Sequence, residues 1–278
     1  MPSPVDPHVQ MPLRIRLLVA SARRIVAIGL SLALAGAAVA APRLDVPYVP
    51  TPHDVVHRML EMAEVQPEDY LIDLGSGDGR IVIAAAQNWN VQRALGIDLD
   101  PQRVEEAEEN ARNAGLEGRV EFEQGDLFEK DISDANVLTM YLLSSVNYRL
   151  RPVILETMKP GTRVVSHAFD MREWEPDETD TVGNSTIYLW IVPANAGGRW
   201  ELVTADDSRV ELHLMQRFQN VQGDARINGS PASFADATLR GDQIRFTLAG
   251  EEYQGRIEGD RIVPTEGDET QGWHARRL

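Results

Sequence analysis

The sequence predicts an α/β protein in two parts: a doubly wound, mainly parallel sheet preceded by one helix, then a small antiparallel β module. Three observations predict it. Apolar runs that end in acids recur three times from Tyr70 to Asp126, the first two followed by a glycine or proline turn and a helical stretch. The first of these runs breaks into a glycine-rich turn at 73–79. Beyond Ala196 that rhythm gives way to short alternating segments punctuated by Gly-Asp pairs.

The glycine turn organises the chain. Tyr70, Leu71 and Ile72 are a short apolar run, and DLGSGDG then supplies two carboxylates and three glycines in seven positions. RIVIAAAQ, from Arg80, resumes with helix formers. The glycines therefore lie between a strand and a helix start, where unpaired N–H groups and the helix dipole face a ligand. Spacing narrows the ligand. A dinucleotide fingerprint asks for Gly-x-Gly-x-x-Gly, whereas the frame here is Asp-x-Gly-x-Gly-x-Gly and position 80 is arginine. Asp73, two residues before the first glycine, would repel a pyrophosphate but suits an ammonium group.

The following strand, ALGIDLD, also ends in acid, and Asp98 lies nineteen residues past Gly79. A carboxylate there can accept both hydroxyls of a ribose, in this fold and in nicotinamide folds alike. Pro101 opens a helix at its favoured first position, and Gly115 stops it. A third strand, Arg119 to Glu123, leads into Gly125-Asp126-Leu127. Any one of these acids alone reads as a solvated loop carboxylate; three at successive strand ends read as a site.

DLGSGDGR and its followers resemble motif I and the cofactor site of class I S-adenosylmethionine-dependent methyltransferases. VPYVPTP, DLGSGDGR and RVVSHAFDMREW, spread over Val46 to Trp190, are similar to the lysine N-methyltransferase family that includes the modifier of the ATP synthase c-subunit. The resemblance covers about half of the chain. It implies a Rossmann-like class I methyltransferase sheet and S-adenosyl-L-methionine as cofactor. Asp73, Gly75, Ser76 and Gly77 would serve the methionine end, Asp98 with Leu99 the ribose, and Asp126 with Leu127 the adenine. The acceptor it implies is an amine, foremost a protein lysine, with a small-molecule amine next. An exported binding or structural protein that keeps the fold without turnover stands as the alternative.

The fourth strand, NVLTMYLL over Asn136 to Leu143, is a continuous apolar run of the buried parallel kind. Nucleobase amino-methylating enzymes carry Asn/Asp-Pro-Pro-Tyr/Phe at its end; this chain has Met140-Tyr141-Leu142-Leu143-Ser144-Ser145. A helix over Leu150 to Met158, with Pro152 early in it, and the break Lys159-Pro160-Gly161 precede a fifth strand, Arg163 to Ala168. Thr186 to Pro193 is expected to close the sheet as its antiparallel strand. A lysine amine must lose a proton before it attacks, and Tyr141, Ser144, His167 and Asp170 are the candidate groups beside it.

Ahead of the first strand, Thr51-Pro52-His53-Asp54 reads as a helix start with Thr51 as N-cap, and Val55, Val56, Met59, Leu60 and Ala63 share one apolar face. His53 and His57, four apart, lack a third ligand and read as solvated, so no metal is expected. Tyr48-Val49-Pro50 is expected to form a lid over the methionine end.

Composition limits the partners. The net charge of −16 and the absence of any Lys/Arg run argue against nucleic acid. With no cysteine, disulfides, thiolate zinc sites and cysteine nucleophiles are all excluded. Arg14, Arg16, Arg23 and Arg24 precede the apolar run Ile25 to Val39, and Ala38-Val39-Ala40 offers a small-x-small cleavage site. Residues 1–40 are therefore expected to be a signal peptide or membrane-targeting segment, with transient membrane association through it. The enzyme would be exported, periplasmic or inner-membrane associated, with a cytoplasmic location as the alternative. Residues 41–195 would form the catalytic domain and 196–278 the β domain.

Overall fold

The computed structural model describes residues 48–266, 270 and 272–278. The segment expected to direct export, residues 1–40, lies outside the described residues.

Helix α1 (His53–Met62) runs ahead of the sheet and buries Val55, Val56, Met59 and Leu60, the face its apolar spacing requires. Its start differs from expectation. Pro52 holds the N-cap position without a side-chain cap, and the Thr51 hydroxyl turns instead toward His167, 116 residues away.

Strands β1 (Tyr70–Leu74), β2 (Arg93–Asp98), β3 (Val120–Gln124), β4 (Val137–Met140) and β5 (Arg163–His167) pair in parallel. Helices α2 (Arg80–Asn88), α3 (Pro101–Asn113) and α4 (Ser144–Thr157) connect them. Strands β6 (Glu178–Val182) and β7 (Ser185–Ile191) complete the sheet in the order β3-β2-β1-β4-β5-β7-β6, with β7 antiparallel between β5 and β6. Successive side chains of β1 point to opposite faces, so Leu71 joins the core under α1 and α2 while Ile72 joins the core under α4. Order reverses between β1 and β4, and in such sheets ligands bind at the carboxyl ends beside that switch.

Two elements depart from the sequence reading. Strand β4 stops at Met140 and α4 begins at Ser144, so Ser144 and Ser145 sit in its first turn and Pro152 lies inside the helix. The apolar run Tyr141 to Leu143 carries no period that separates strand from loop. Strand β6, ETDTV, is polar but for Val182, which packs on the core; it is an edge strand, where charge is tolerated and guards against further pairing.

The remaining residues build a nine-stranded antiparallel sheet, β8 (Gly198–Val203), β9 (Arg209–Arg217), β10 (Asn220–Ile227), β11 (Ser230–Ala232), β12 (Phe234–Arg240), β13 (Gln243–Leu248), β14 (Glu251–Glu258), β15 (Arg261–Pro264) and β16 (His274–Arg277). It curls nearly into a barrel around Trp200, Trp273, Phe246 and Tyr253. Alternate burial along β9 gives it one wet and one dry face. Gly241-Asp242 and Gly259-Asp260 turn hairpins as expected, but Gly223-Asp224 lies within β10. A Cβ on Gly223 would stand 2.7 Å from the His213 carbonyl, so the glycine there permits close strand approach. Gly267-Asp268 falls outside the described residues.

Candidate active site

A cavity opens at the carboxyl ends of β1, β2, β3 and β4. Asp73, Gly75, Ser76, Asp98, Leu99, Asp126, Leu127 and Tyr141, all read from the sequence, line it together. Gly77, Ser144, His167 and Asp170 do not. Tyr48, Val49 and Pro50, the expected lid, line it together with Thr51.

The glycine turn is held by the neighbouring strand. Gly75 and Ser76 donate their amides to the Ile97 carbonyl at 2.8 and 3.1 Å. Gly77 donates to Asp98 Oδ2 at 2.8 Å, and Asp98 Oδ1 accepts from the Asp100 amide at 2.9 Å. Gly75 and Gly77 both lie at positive φ, 73° and 54°. A Cβ at Gly77 would come 2.5 Å from Tyr48 Cε2, so this glycine acts as the seat of Tyr48 rather than as wall. Asp78 and Arg80 form a half-buried ion pair at 2.6 Å, and Arg80 Nη1 donates to the Thr51 carbonyl at 2.8 Å. Burial pushes the Asp78 carboxyl up, but the Arg80 hydrogen bonds and charge outweigh it and hold the carboxyl below its ordinary range. Burial and the neighbouring Asp78 raise the Tyr48 phenol.

Asp73 is 2% exposed. Burial, with the negative Asp98 and Asp78 adding to it, raises its carboxyl to about 7 against the lowering effect of the Thr139 hydrogen bond. A cationic group beside it would draw it back down. Asp126 Oδ1 accepts from the Phe128 amide at 2.9 Å, and the residue lines the cavity.

At the far side, the Tyr141 ring packs against the His167 ring, centroids 3.9 Å apart and planes tilted by 34°. His167 is 3% exposed and its Nδ1 lies 3.2 Å from Thr51 Oγ1. Burial lowers its pKa, so the ring is neutral at physiological pH and stands behind the wall rather than in it. Asp170 accepts from the Arg172 amide at 3.3 Å and Ser144 begins α4, both outside the cavity lining. No group of three or more metal-ligating side chains occurs among the described residues; His57 instead pairs with Glu61 at 3.3 Å.

The donor set decides what fits. The polar side chains that line the turn side are chiefly carboxylates, which accept from hydroxyls and amines and repel phosphate. Leu142 and Tyr48 occupy the places of Cβ atoms on Gly75 and Gly77, and among the described residues the buried Ser76 hydroxyl has no partner. These features fit a nucleoside that carries an ammonium and a sulfonium group. A family model for the ANTKMT methyltransferase domain matches residues 73–178. The chain is 48% identical over 151 residues to the protein-lysine N-methyltransferase of Saccharolobus islandicus, covering 53% of this chain and 94% of that protein. It belongs to this methyltransferase family.

Other relatives of the methyltransferase act on named proteins. It is 33% identical to the mouse adenine nucleotide translocase lysine N-methyltransferase, over 56% of this chain and 66% of that one. The mouse lysine N-methyltransferase of the ATP synthase c-subunit is 29% identical, over 56% of this chain and 62% of its own length. A Salinibacter ruber RNA methyltransferase, solved in complex with S-adenosyl-L-homocysteine, is 55% identical with a TM-score of 0.52, covering 53% of this chain and 95% of that one. The cofactor of the enzyme is S-adenosyl-L-methionine. Asp73 would hold its amino-acid end, Asp98 its ribose and Asp126 its adenine. All three acids were legible from strand ends. The Thr51 contact to His167 and the roles of Thr139 and Asn147 were not, because each acts through a partner far away in sequence.

Proposed function

We propose that this methyltransferase modifies the side-chain amine of a protein lysine. The observation that carries the reading is the 48% identity to a protein-lysine N-methyltransferase across nearly all of that protein. The acceptor side of the cavity agrees with it. Tyr141, Leu142 and Val146 form an apolar and aromatic wall backed by a neutral histidine. Such a wall lowers the pKa of an entering ammonium by desolvation, so the amine arrives unprotonated and nucleophilic. The bound cofactor supplies a methyl group already activated by its sulfonium, and the protein is left to orient the amine and exclude water. Tyr141 would touch the amine; Ser144, His167 and Asp170 would act from behind the wall.

A second reading follows from the Salinibacter enzyme, described as acting on RNA. The net charge of −16 opposes it, because phosphate binding needs basic side chains in excess. Radiolabelled methyl transfer to a lysine-bearing peptide and to total RNA separates the two. Label on the lysine Nε supports the proposal, and label on RNA alone refutes it. We also propose export through residues 1–40, on the strength of the arginine cluster, the apolar run and the Ala38-Val39-Ala40 site. Sequencing the N-terminus of the protein from fractionated cells tests it, and intact cytoplasmic protein beginning at the initiator would contradict it.

A further inference from the structure

Strand β5 ends in a turn that is strained for the residues it holds. Ala168 lies at φ 65° without being glycine, and the Phe169 amide donates to the His167 carbonyl two residues back, at 2.8 Å. A three-residue turn at positive φ is rare, and it persists only where its surroundings hold it. Here two donors converge on one oxygen. Ser166 Oγ donates to the Phe169 carbonyl at 2.7 Å, and Asn147 Nδ2 donates to the same carbonyl at 2.9 Å and to Ser166 Oγ at 3.1 Å. The Ala168 amide is taken by the Thr186 carbonyl of β7 at 2.7 Å. Asn147 and Ser166 are both 0% exposed, and among the described residues the buried Asn147 Oδ1 has no partner. A core amide kept only for stability would be expected to satisfy both of its ends; this one satisfies its donor and orients it on the turn.

The turn sets two rings against the cavity wall. His167, at its first position, lies 3.9 Å from Tyr141 with the planes tilted by 34°, and Phe169, at its third, lies 6.0 Å from Tyr141 with the planes 23° apart. Tyr141 lines the cavity, while Asn147, Ser166, His167 and Phe169 do not. The Thr51 contact to His167 joins the same group to the 48–51 segment that lines the cavity.

We infer that Asn147 and Ser166 are positioning residues for methyl transfer: they clamp the His167–Ala168–Phe169 turn and so fix the Tyr141 ring past which the acceptor amine approaches. The inference rests on Tyr141 forming the acceptor side of the cavity, as proposed above. A clamp of this kind acts on orientation. A displacement of the wall by a fraction of an ångström to one ångström costs rate or acceptor binding without touching the cofactor.

Ser166→Ala removes one of the two donors with little change of volume, and two readouts follow it in the full-length protein. In the cofactor-free enzyme, the imidazole resonance of His167, assigned by comparison with a His167→Gln variant, reports the ring current of Tyr141. It is expected to shift in Ser166→Ala. With a lysine-bearing peptide as acceptor, KM is expected to rise about 10-fold while kcat and the affinity for S-adenosylhomocysteine stay within about twofold. Phe169→Leu should produce the same KM change, and combining the two should add nothing further, since both act through one turn. A lowered melting temperature with an unmoved His167 resonance, or additive effects in the double variant, would overturn the clamp. If the wild type leaves the peptide unmodified, the lysine reading fails, and the His167 resonance still decides the clamp.

Discussion

Thr139 Oγ1 donates a 2.7 Å hydrogen bond to Asp73 Oδ1 across the β1–β4 pair, at the point where the strand order of the sheet reverses. Both side chains are buried, and among the described residues no cation stands beside either. The carboxylate that begins the glycine turn is thus one the protein alone cannot charge cheaply.

That arrangement makes cofactor-free stability depend on pH. The Asp73 carboxyl stands at about 7 when folded, against 3.8 ordinarily. Between those values the folded chain keeps a proton that the unfolded chain has released. The associated stability is complete below the ordinary value and is lost as pH rises through about 7. Asp73→Asn removes the titration and keeps an acceptor for Thr139. The variant should therefore melt higher than the wild type at pH 8, by an amount worth on the order of a few kcal/mol at most, and show no such gain at pH 4. Identical pH dependence of the two melting temperatures would contradict the burial of this group.

Asp98 both holds the glycine turn and faces the cavity. Asp98→Ala leaves the Gly77 and Asp100 amides without their acceptor and removes the carboxylate assigned to the ribose. Affinity for S-adenosylhomocysteine, measured by calorimetry, should fall about 10- to 100-fold, the range for hydrogen bonds to a charged group. An unchanged affinity would refute the ribose assignment.

Gly77→Ala should cost cofactor affinity in two separable ways, through its φ of 54° and through the Tyr48 ring that occupies the place of a Cβ. Adding Tyr48→Ala should restore part of the loss and not all of it. Full restoration would show that the backbone conformation contributes nothing.

Much of this was legible in the sequence, for physical reasons that also explain what was not. Asp73, Asp98 and Asp126 could be found because a parallel strand announces its carboxyl end: an apolar run stops, and an acid followed by a turn begins. Gly77 was correctly read as part of the turn, yet its contact with Tyr48 depends on a segment 29 residues earlier in the chain. Thr51 looked like a helix cap because serine and threonine before proline and acid usually are; its tertiary bond to His167 won over the local one. Strand β6 escaped notice because an edge strand has no need of the apolar alternation by which strands are recognised. In the second sheet the hairpin turns were visible, but β16, which sits between β8 and β15 and joins the two halves, is four residues of HARR with no apolar signal beyond Ala275.

Truncation after Trp273 would unpair the inner edges of β8 and β15 and remove the Arg276 bonds to Glu201 at 2.7 and 2.9 Å. The Trp200 and Trp273 emission should shift to the red as their cluster opens to water, while the affinity for S-adenosylhomocysteine should change little. Loss of cofactor binding on truncation would show that the second sheet supports the cavity directly.

S-adenosylmethionine is assigned to the carboxyl ends of β1 to β4, where Asp73 would stand beside its cationic end, and on that assignment the rest depends. Calorimetric titration of the cofactor at pH 7, repeated in buffers of different ionisation enthalpy, tests it most directly. The wild type is predicted to bind and release a proton, and Asp73→Asn to bind more weakly and release none. Binding by Asp73→Asn at wild-type affinity with the same proton release would contradict it.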